Sequence, residues 1–534
     1  MKVTHSLAEL QKEHVVLELE CIDRMYLNAY VPKLTSAGGI AAFCRGYLGH
    51  RFASTKQAVQ MTLDFVKSIH TLIQSQGLEL VRFEKGQRKD EVLQQKLRAF
   101  KKEEGVIFVG VAQEKVRVPR TTRKAFGAGG TIPWIIYSTA MVNVYYFYCR
   151  DKDFGPFFLK FCSYFPYSAK LCLNGHEYLK CQLTQRGIAF EAMDNGLLSC
   201  ADLTAAQRIS EGLSSAKIDA FFRKWLARLP HPFSAKDRKA GYRYDLSVLQ
   251  AEFSLTQVWD RPLHGRCFFE QVIRENIDLG RPEQVQLIFA RKMQRKTAAD
   301  GRCRTRIITE GVVPSLHVYY KNTHLKQYHK EGQALRTETT INNTYDFGVG
   351  RRLKNLAALR QIGFAANRRV LQVEQLTHDC HIGAEAFDKL QKPAEVDGQQ
   401  VSALPFGQRR VQALLTVLVL FSLQPEGFRN HQLRPLLAQL LGISESQISP
   451  GRMTYDLRRL RLHGLIERVP NSHRYRLTPF GLKTALFYSR TYQRLLCRGL
   501  SELHDPRLLE SSPLAADFAR LQKTLDSYTA EMAA

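Results

Sequence analysis

Apolar side chains recur along this chain with two rhythms, one repeating every second residue and one at helical spacing. Residues 15–32, VVLELECIDRMYLNAYVP, carry the alternation of one long or two short β-strands. After a Gly-rich turn, TKQAVQMTLDFVKSIHTLIQSQG places apolar residues at helical spacing and closes on Gly77. LELVRF, DEVLQQKLRAFKKEEG and VIFVGVA continue as strand, helix and strand, so residues 1–112 predict a β-α-β-α-β order and an α/β domain. From 113 to 260 the pattern turns β-rich and aromatic, predicting an α+β domain. There NGHEYLKCQLTQRG reads as a capped helix ending at Gly187, and residues 202–228 read as one long helical stretch. LSVLQAEFSLTQVW alternates as a strand that shows Gln250, Glu252, Ser254 and Thr256 on one face.

Residues 261–380 predict a basic, β-rich segment with three strands, in EQVQLIFAR, RTRIITEGVVPSLHVYYK and ALRTETTIN, closed by an Arg- and Leu-rich helix. Residues 381–408, with KPAEVDGQQVSALPFG at their centre, read as a linker. Over 409–500 the order is helix, helix, helix, short strand, polar turn, short strand, helix, which is that of a winged helix-turn-helix. Asn430 and Gly442 bracket the second helix, Ser449-Pro450 opens the third, Gly464 ends it, and PNSH forms the wing turn. Residues 501–534 form a helical tail. The whole predicts a multidomain α+β protein.

Charge then narrows the function. The 534 residues hold 77 Lys+Arg against 50 Asp+Glu, a formal net charge of +27, which points to a polyanionic partner, nucleic acid ahead of anionic membrane. The bias is sharpest in 409–500, where 15 Lys/Arg, only one of them Lys, face 4 acids. In the third helix Arg452, Tyr455, Arg458, Arg459 and His463 take the more exposed positions beside a buried Leu457, Leu460 and Leu465, and Arg474 and Arg476 lie on the wing. Such a helix reads base edges in a major groove while the wing holds the backbone. A second basic segment, the connector 291–306, carries Arg291, Lys292, Arg295 and Lys296, and a third, 115–130, carries Arg120, Arg123 and Lys124 with no acid and a Gly-rich end and reads either as a loop lying along phosphates or as a solvated connector. The eleven aromatic residues from Tyr145 to Tyr167 lie near Arg150, Lys152, Lys160 and Lys170, as bases stacked over phosphates require, although alternate aromatics on paired strands more commonly form a sheet core. Eleven cysteines without a C-x-x-C pair predict reduced, buried thiols. HDCH at 378–381 is a metal motif lacking a second ligand pair at zinc-finger spacing. The charged first twenty residues fit no secretory signal and no stretch predicts a membrane span, so the expected location is the cytoplasm.

Three stretches, FGPFFLKFCSYFPYSAKLCLNGHEYLKCQ, LRTETTINNTYDFG and MTYDLRRLRLHGLIERVPNSHRYRLTPFG, resemble a widespread bacterial family known only as uncharacterised or by its winged helix. That resemblance implies no activity. A local Y-x-K at Tyr319 and Lys321 followed by L-R-x-E at Arg336 and Glu338 is similar to a pattern in some rolling-circle replication initiators. It implies Tyr319 as nucleophile on a phosphodiester, Lys321 as its activator, Arg336 beside the phosphate and Glu338 as a metal ligand; the alternative for this set is a salt-bridged pair of adjacent strands. Carboxylates at Asp23 on the first strand, Asp194 just after another and Glu252 on a third supply a second metal-holding reading, with Mg²⁺ the ion if catalysis occurs. The sequence thus predicts a nucleic-acid-binding protein, of a mobile element or plasmid, that grips duplex DNA through its C-terminal module and a second strand or structured RNA upstream, with a homodimer as a candidate assembly. A metal-dependent nickase, endonuclease or recombinase and a non-catalytic regulator with a large sensing domain stay open as alternatives.

Overall fold

The computed structural model describes residues 7–84, 86–126, 130–279, 303–308, 315–330, 332–378, 382–396, 398–420, 427–492 and 513–533. Mixed α and β elements make two compact units, one of Val15–Pro262 with Asn322–Asn367, the other of Met1–His14, Leu263–Lys321 and Arg368–Ala534. No described helix is long and apolar enough to cross a membrane.

In the first unit the strands are β1 (Val15–Tyr30), β2 (Leu80–Arg82), β3 (Gly105–Phe126), β4 (Gly130–Asp151), β5 (Gly155–Cys162), β6 (Ala169–Asn174), β7 (Phe190–Met193), β8 (Gly196–Cys200) and β9 (Asp245–Trp259). The next two, β10 (Cys303–Ile308) and β11 (Ser315–Tyr320), pair as an antiparallel hairpin in the other unit; β12 (Thr323–Lys330) and β13 (Ala334–Ile341) return to the first. Its main sheet runs β12-β13-β9-β1-β6-β5-β4-β3-β2, antiparallel throughout except β2 with β3. The β-α-β-α-β order of the opening residues is present, but the expected boundary near 112 falls inside β3, a single strand that pairs with β4 from Gly105↔Arg150 to Phe126↔Gly130.

Period-2 alternation sends the aromatic run to two faces. Tyr145, Phe147, Phe157 and Phe161 enter the main core with Phe65, Ile69 and Ile73 of the helix Thr55–Ser75, whereas Phe108, Tyr146 and Tyr148 form a smaller cluster on the opposite face, against Val92 and Leu93. Phe108 and Tyr148 stack at 4.5 Å. These rings fill the sheet core, so they are occupied by one another rather than by bases. The stretch 202–228 is two helices, Leu203–Glu211 and Ser215–Arg228, because the Ser214 side chain caps a new start by accepting from the Lys217 amide.

In the second unit, the helices Arg409–Leu420, Asn430–Leu441, Pro450–Leu462 and Pro479–Arg490 share one core with a small hairpin of β16 (Ile466–Arg468) and β17 (Tyr475–Leu477). Ser449 and Thr478 cap the third and fourth helices through the amides of Arg452 and Gly481. The second helix differs from expectation at its start: Arg429 precedes it, and the Asn430 side chain instead donates to Pro450 O (3.0 Å) and Thr454 Oγ1 (2.9 Å), tying the second helix to the third. The expected linker contains a hairpin, β14 (Ala394–Val396) with β15 (Gln399–Val401).

One close approach in the sheet unit is testable. The helix Gly175–Gln185 begins against β1, and a Cβ on Gly175 would lie 2.2 Å from the Ile22 carbonyl oxygen. Backbone cannot retreat as a side chain can, so Gly175→Ala is expected to lower the unfolding free energy by about 1–3 kcal/mol in denaturant titration.

Candidate functional site

The densest set of polar groups in the sheet unit surrounds Arg336, which has no solvent exposure. It sits on β13 opposite Thr256 of β9, and Glu338 sits opposite Ser254. Next to β9 lies β1, whose pairing slips between Ile22 and Met25; this bulge leaves Asp23 outside the ladder and buried. Asn174 caps the following helix by accepting from the His176 and Glu177 amides, placing His176 over the same point.

A guanidinium has five N–H donors in a fixed plane and no acceptor. Here Nε donates to Glu338 Oε1 (3.1 Å), Nη1 to Asn195 O (2.5 Å) and Thr256 Oγ1 (2.7 Å), and Nη2 to Asp23 Oδ2 (2.6 Å) and His176 Nε2 (2.9 Å). Because Arg336 only donates, the network assigns the His176 lone pair to Nε2 and its proton to Nδ1. Burial and the adjacent guanidinium both hold His176 well below its ordinary pKa, hence neutral. Burial opposes ionisation of Asp23, but Arg336 outweighs it and keeps that carboxyl below its usual range. Glu338 goes the other way: burial, reinforced by the charge of Asp23, raises it despite Arg336. Tyr328 of β12 donates to Glu338 Oε1 at 2.9 Å, and burial pushes its own pKa up. Glu252 sits nearby on β9, where desolvation and the charge of Asp23 raise it to about 7.

Arg336 and Glu338 bond to each other within β13, and Arg336 reaches Asp23 on β1, with every guanidinium donor engaged, so Arg336 has none left for a phosphate. Asp23, Glu252 and Glu338 lie near enough to feel one another's charge but do not bring three ligand atoms to one point, and the cation bonded to Asp23 and Glu338 is Arg336, so the set does not fit Mg²⁺. Tyr319 and Lys321 belong to the other unit. Tyr319 pairs with Arg304 across the β10–β11 hairpin of the other unit and stacks on His317, and Lys321 follows the strand with a φ of 50°. The tyrosine that touches Glu338 is Tyr328, which no sequence spacing singled out. His176 donates through its amide to Asn174 at the helix start, while its ring accepts from Arg336.

The second candidate is the third helix of the C-terminal module. Leu457, Leu460 and Leu465 are buried as expected, but several of the polar residues are not turned to solvent. Arg459 is 7% exposed; its Nε donates to Ser402 O (3.1 Å) and its Nη2 to Ala403 O. Arg458 Nη2 donates to Gln399 Oε1 (3.1 Å), His463 Nε2 contacts Ser402 O (3.0 Å), and the Tyr455 hydroxyl meets the Ser402 hydroxyl. The segment expected to be a linker therefore lies across this helix and takes up Arg458, Arg459 and His463. The Ser402 and Ala403 carbonyls lie just past β15, and guanidinium is the donor best suited to collect them. Arg410 and Asp456 add an ion pair at 2.6 Å.

Cations remain outward elsewhere. Arg452, Arg461, Arg468 and Arg476 are exposed on the third helix and the β16–β17 hairpin, and Arg474 is half-buried with Nη1 on Gly427 O at 3.1 Å. Arg120, Arg123 and Lys124 are exposed near the far end of β3. Arg291, Lys292, Arg295 and Lys296, and residues 379–381 of HDCH, lie outside the described residues. No family model, curated protein or solved structure matches this chain.

Two outcomes follow for the buried cluster. Arg336→Met should cost about 3–5 kcal/mol in equilibrium unfolding, since it strands the Asp23 charge, and adding Asp23→Asn should recover much of that loss. Glu252 binds its proton more tightly folded than unfolded. Its contribution is therefore full below the ordinary glutamate range and falls as pH rises towards about 7. Glu252→Gln should flatten that part of a melting-temperature profile, with the variant gaining on the parent above neutrality.

Proposed function

We propose that this protein binds nucleic acid, with residues 409–490 acting as a winged helix on duplex DNA, as part of a mobile element or plasmid system. The observation that carries the reading is the set of outward guanidiniums, Arg452 and Arg461 on the third helix and Arg468 and Arg476 on the adjoining hairpin, in a chain of net charge +27. Arginine in this density suits phosphate, which it meets with two parallel N–H groups. The order of three helices, hairpin and closing helix agrees with a winged helix, in which the third helix and wing address the same stretch of duplex.

The distribution of bound and exposed side chains shifts the contact within that module. Arg459, His463 and Arg458 are engaged by residues 399–403, so the phosphate grip falls to Arg452 at the start of the third helix and to Arg468 and Arg476 on the wing. Tyr455 keeps about half its surface open and lies one turn from Arg452, where it can approach a base edge. A nuclease or nickase reading gains nothing from the Arg336 cluster, whose donors are spent internally.

The test is a charge reversal in the full chain. Arg452→Glu with Arg476→Glu is expected to weaken duplex affinity at least about tenfold and to reduce the slope of log affinity against log salt by about 2, because two phosphate contacts disappear. Arg459→Gln, by contrast, should lower stability while leaving the salt slope in place. Unchanged affinity and slope in the double reversal would contradict the proposal.

A further inference from the structure

The paired strands β3 and β4 continue past the sheet as a two-stranded ribbon whose two faces differ. One face is anchored. Thr121 Oγ1 accepts from the Thr55 amide at 2.8 Å, Ile135 enters the main core, and the Tyr137 hydroxyl donates to Leu34 O at 3.4 Å. This anchoring fixes the direction of the other face, on which directly opposed pairs are Arg120↔Ile136, Thr122↔Trp134 and Lys124↔Ile132. Alternation therefore sets an apolar row, Ile132, Trp134 and Ile136, alongside a row of Arg120, Thr122 and Lys124. Trp134 and Ile136 are each 45% exposed, and Arg120 and Lys124 are exposed. Residues 115–143 contain five Lys/Arg and no acid, so nothing on the ribbon itself neutralises this edge.

We propose that this outer face of the β3–β4 ribbon is a binding surface for single-stranded nucleic acid, with Trp134 stacking on an unpaired base and Arg120 and Lys124 holding the flanking phosphates. It rests on the nucleic-acid reading above and adds a second, chemically different contact. The two rows match the two sides of a single strand, bases on one and phosphates on the other; a duplex keeps its base faces stacked internally and offers an indole nothing flat to cover. Thr122, opposite the indole, is small enough to leave room beside the ring. Lys124 lies 4.7 Å from the Trp134 ring centre. An exposed lysine–indole pair is weaker than a stacked base, so an incoming base displaces the ammonium, which is then beside the phosphate of the same nucleotide.

Tryptophan fluorescence of the full chain reads this directly. Of the three tryptophans, Trp225 and Trp259 are buried at 2% and 3% exposure, which leaves Trp134 as the one a stacking base reaches. Titration with a short oligothymidylate is expected to quench emission, and Trp134→Phe should abolish the quench. Trp134→Ala should weaken oligothymidylate affinity about tenfold while leaving duplex affinity unchanged, and Arg120→Gln with Lys124→Gln should weaken it and lower its salt slope. Absence of quenching with duplex binding intact would overturn this inference alone; absence of binding to either nucleic acid would overturn it together with the duplex reading. Equal quenching by duplex, or quenching by anionic phospholipid vesicles and not by the oligonucleotide, would likewise overturn it.

Discussion

A guanidinium sealed from water must give every N–H an acceptor, and in this protein that requirement gathers residues from across the chain. Arg336 draws on β1, β9, β13, the helix beginning at Gly175 and the turn at Asn195, with its partner Asp23 313 residues away in sequence. Such an ion pair need not be more stabilising than well-packed apolar residues. What it does impose is specificity: a one-residue slip of β13 against β9 would point Arg336 to the other face and leave five donors and a carboxylate without partners. Register, bulge and helix position are thereby locked together in the middle of the sheet.

That constraint also separates structure from function in this chain. Cations facing inward are spent: Arg336 on its five acceptors, Arg459 on the carbonyls of Ser402 and Ala403, Arg410 on Asp456. Among the described residues, exposed cations include those on the third helix and hairpin of the C-terminal module and along the β3–β4 ribbon. The two surfaces offer different chemistry, guanidiniums around a helix start in one case and an aromatic and aliphatic row beside cations in the other.

Much of the local structure was legible because local rules govern it. Ser449 and Asn174 announced helix starts by their short polar side chains, and the period-2 run at 15–30 announced β1. The polar row on β9 was also visible, as was the L-R-x-E strand, with a salt bridge already one of its readings. What pattern could not supply was depth. An arginine between Leu335 and Thr337 looks the same whether its face meets water or Asp23, and only the fold decides. The same limit explains Arg459, whose helical position did not reveal that residues 399–403 cover it, and Tyr328, which touches Glu338 across a strand pair. The linker was read from composition, and its hairpin is too short for composition to register. The boundary near 112 followed a change in residue type that β3 passes through without interruption.

Hydrogen–deuterium exchange of the full chain, free and with a partly single-stranded DNA duplex, tests the central claim that outward cations bind nucleic acid while the Arg336 cluster is structural. The account predicts new protection confined to the ribbon around 117–139 and to the module around 450–477, with β1, β9 and β13 equally slow in both states. Protection appearing at β9 and β13, with the ribbon and hairpin unchanged, would contradict it.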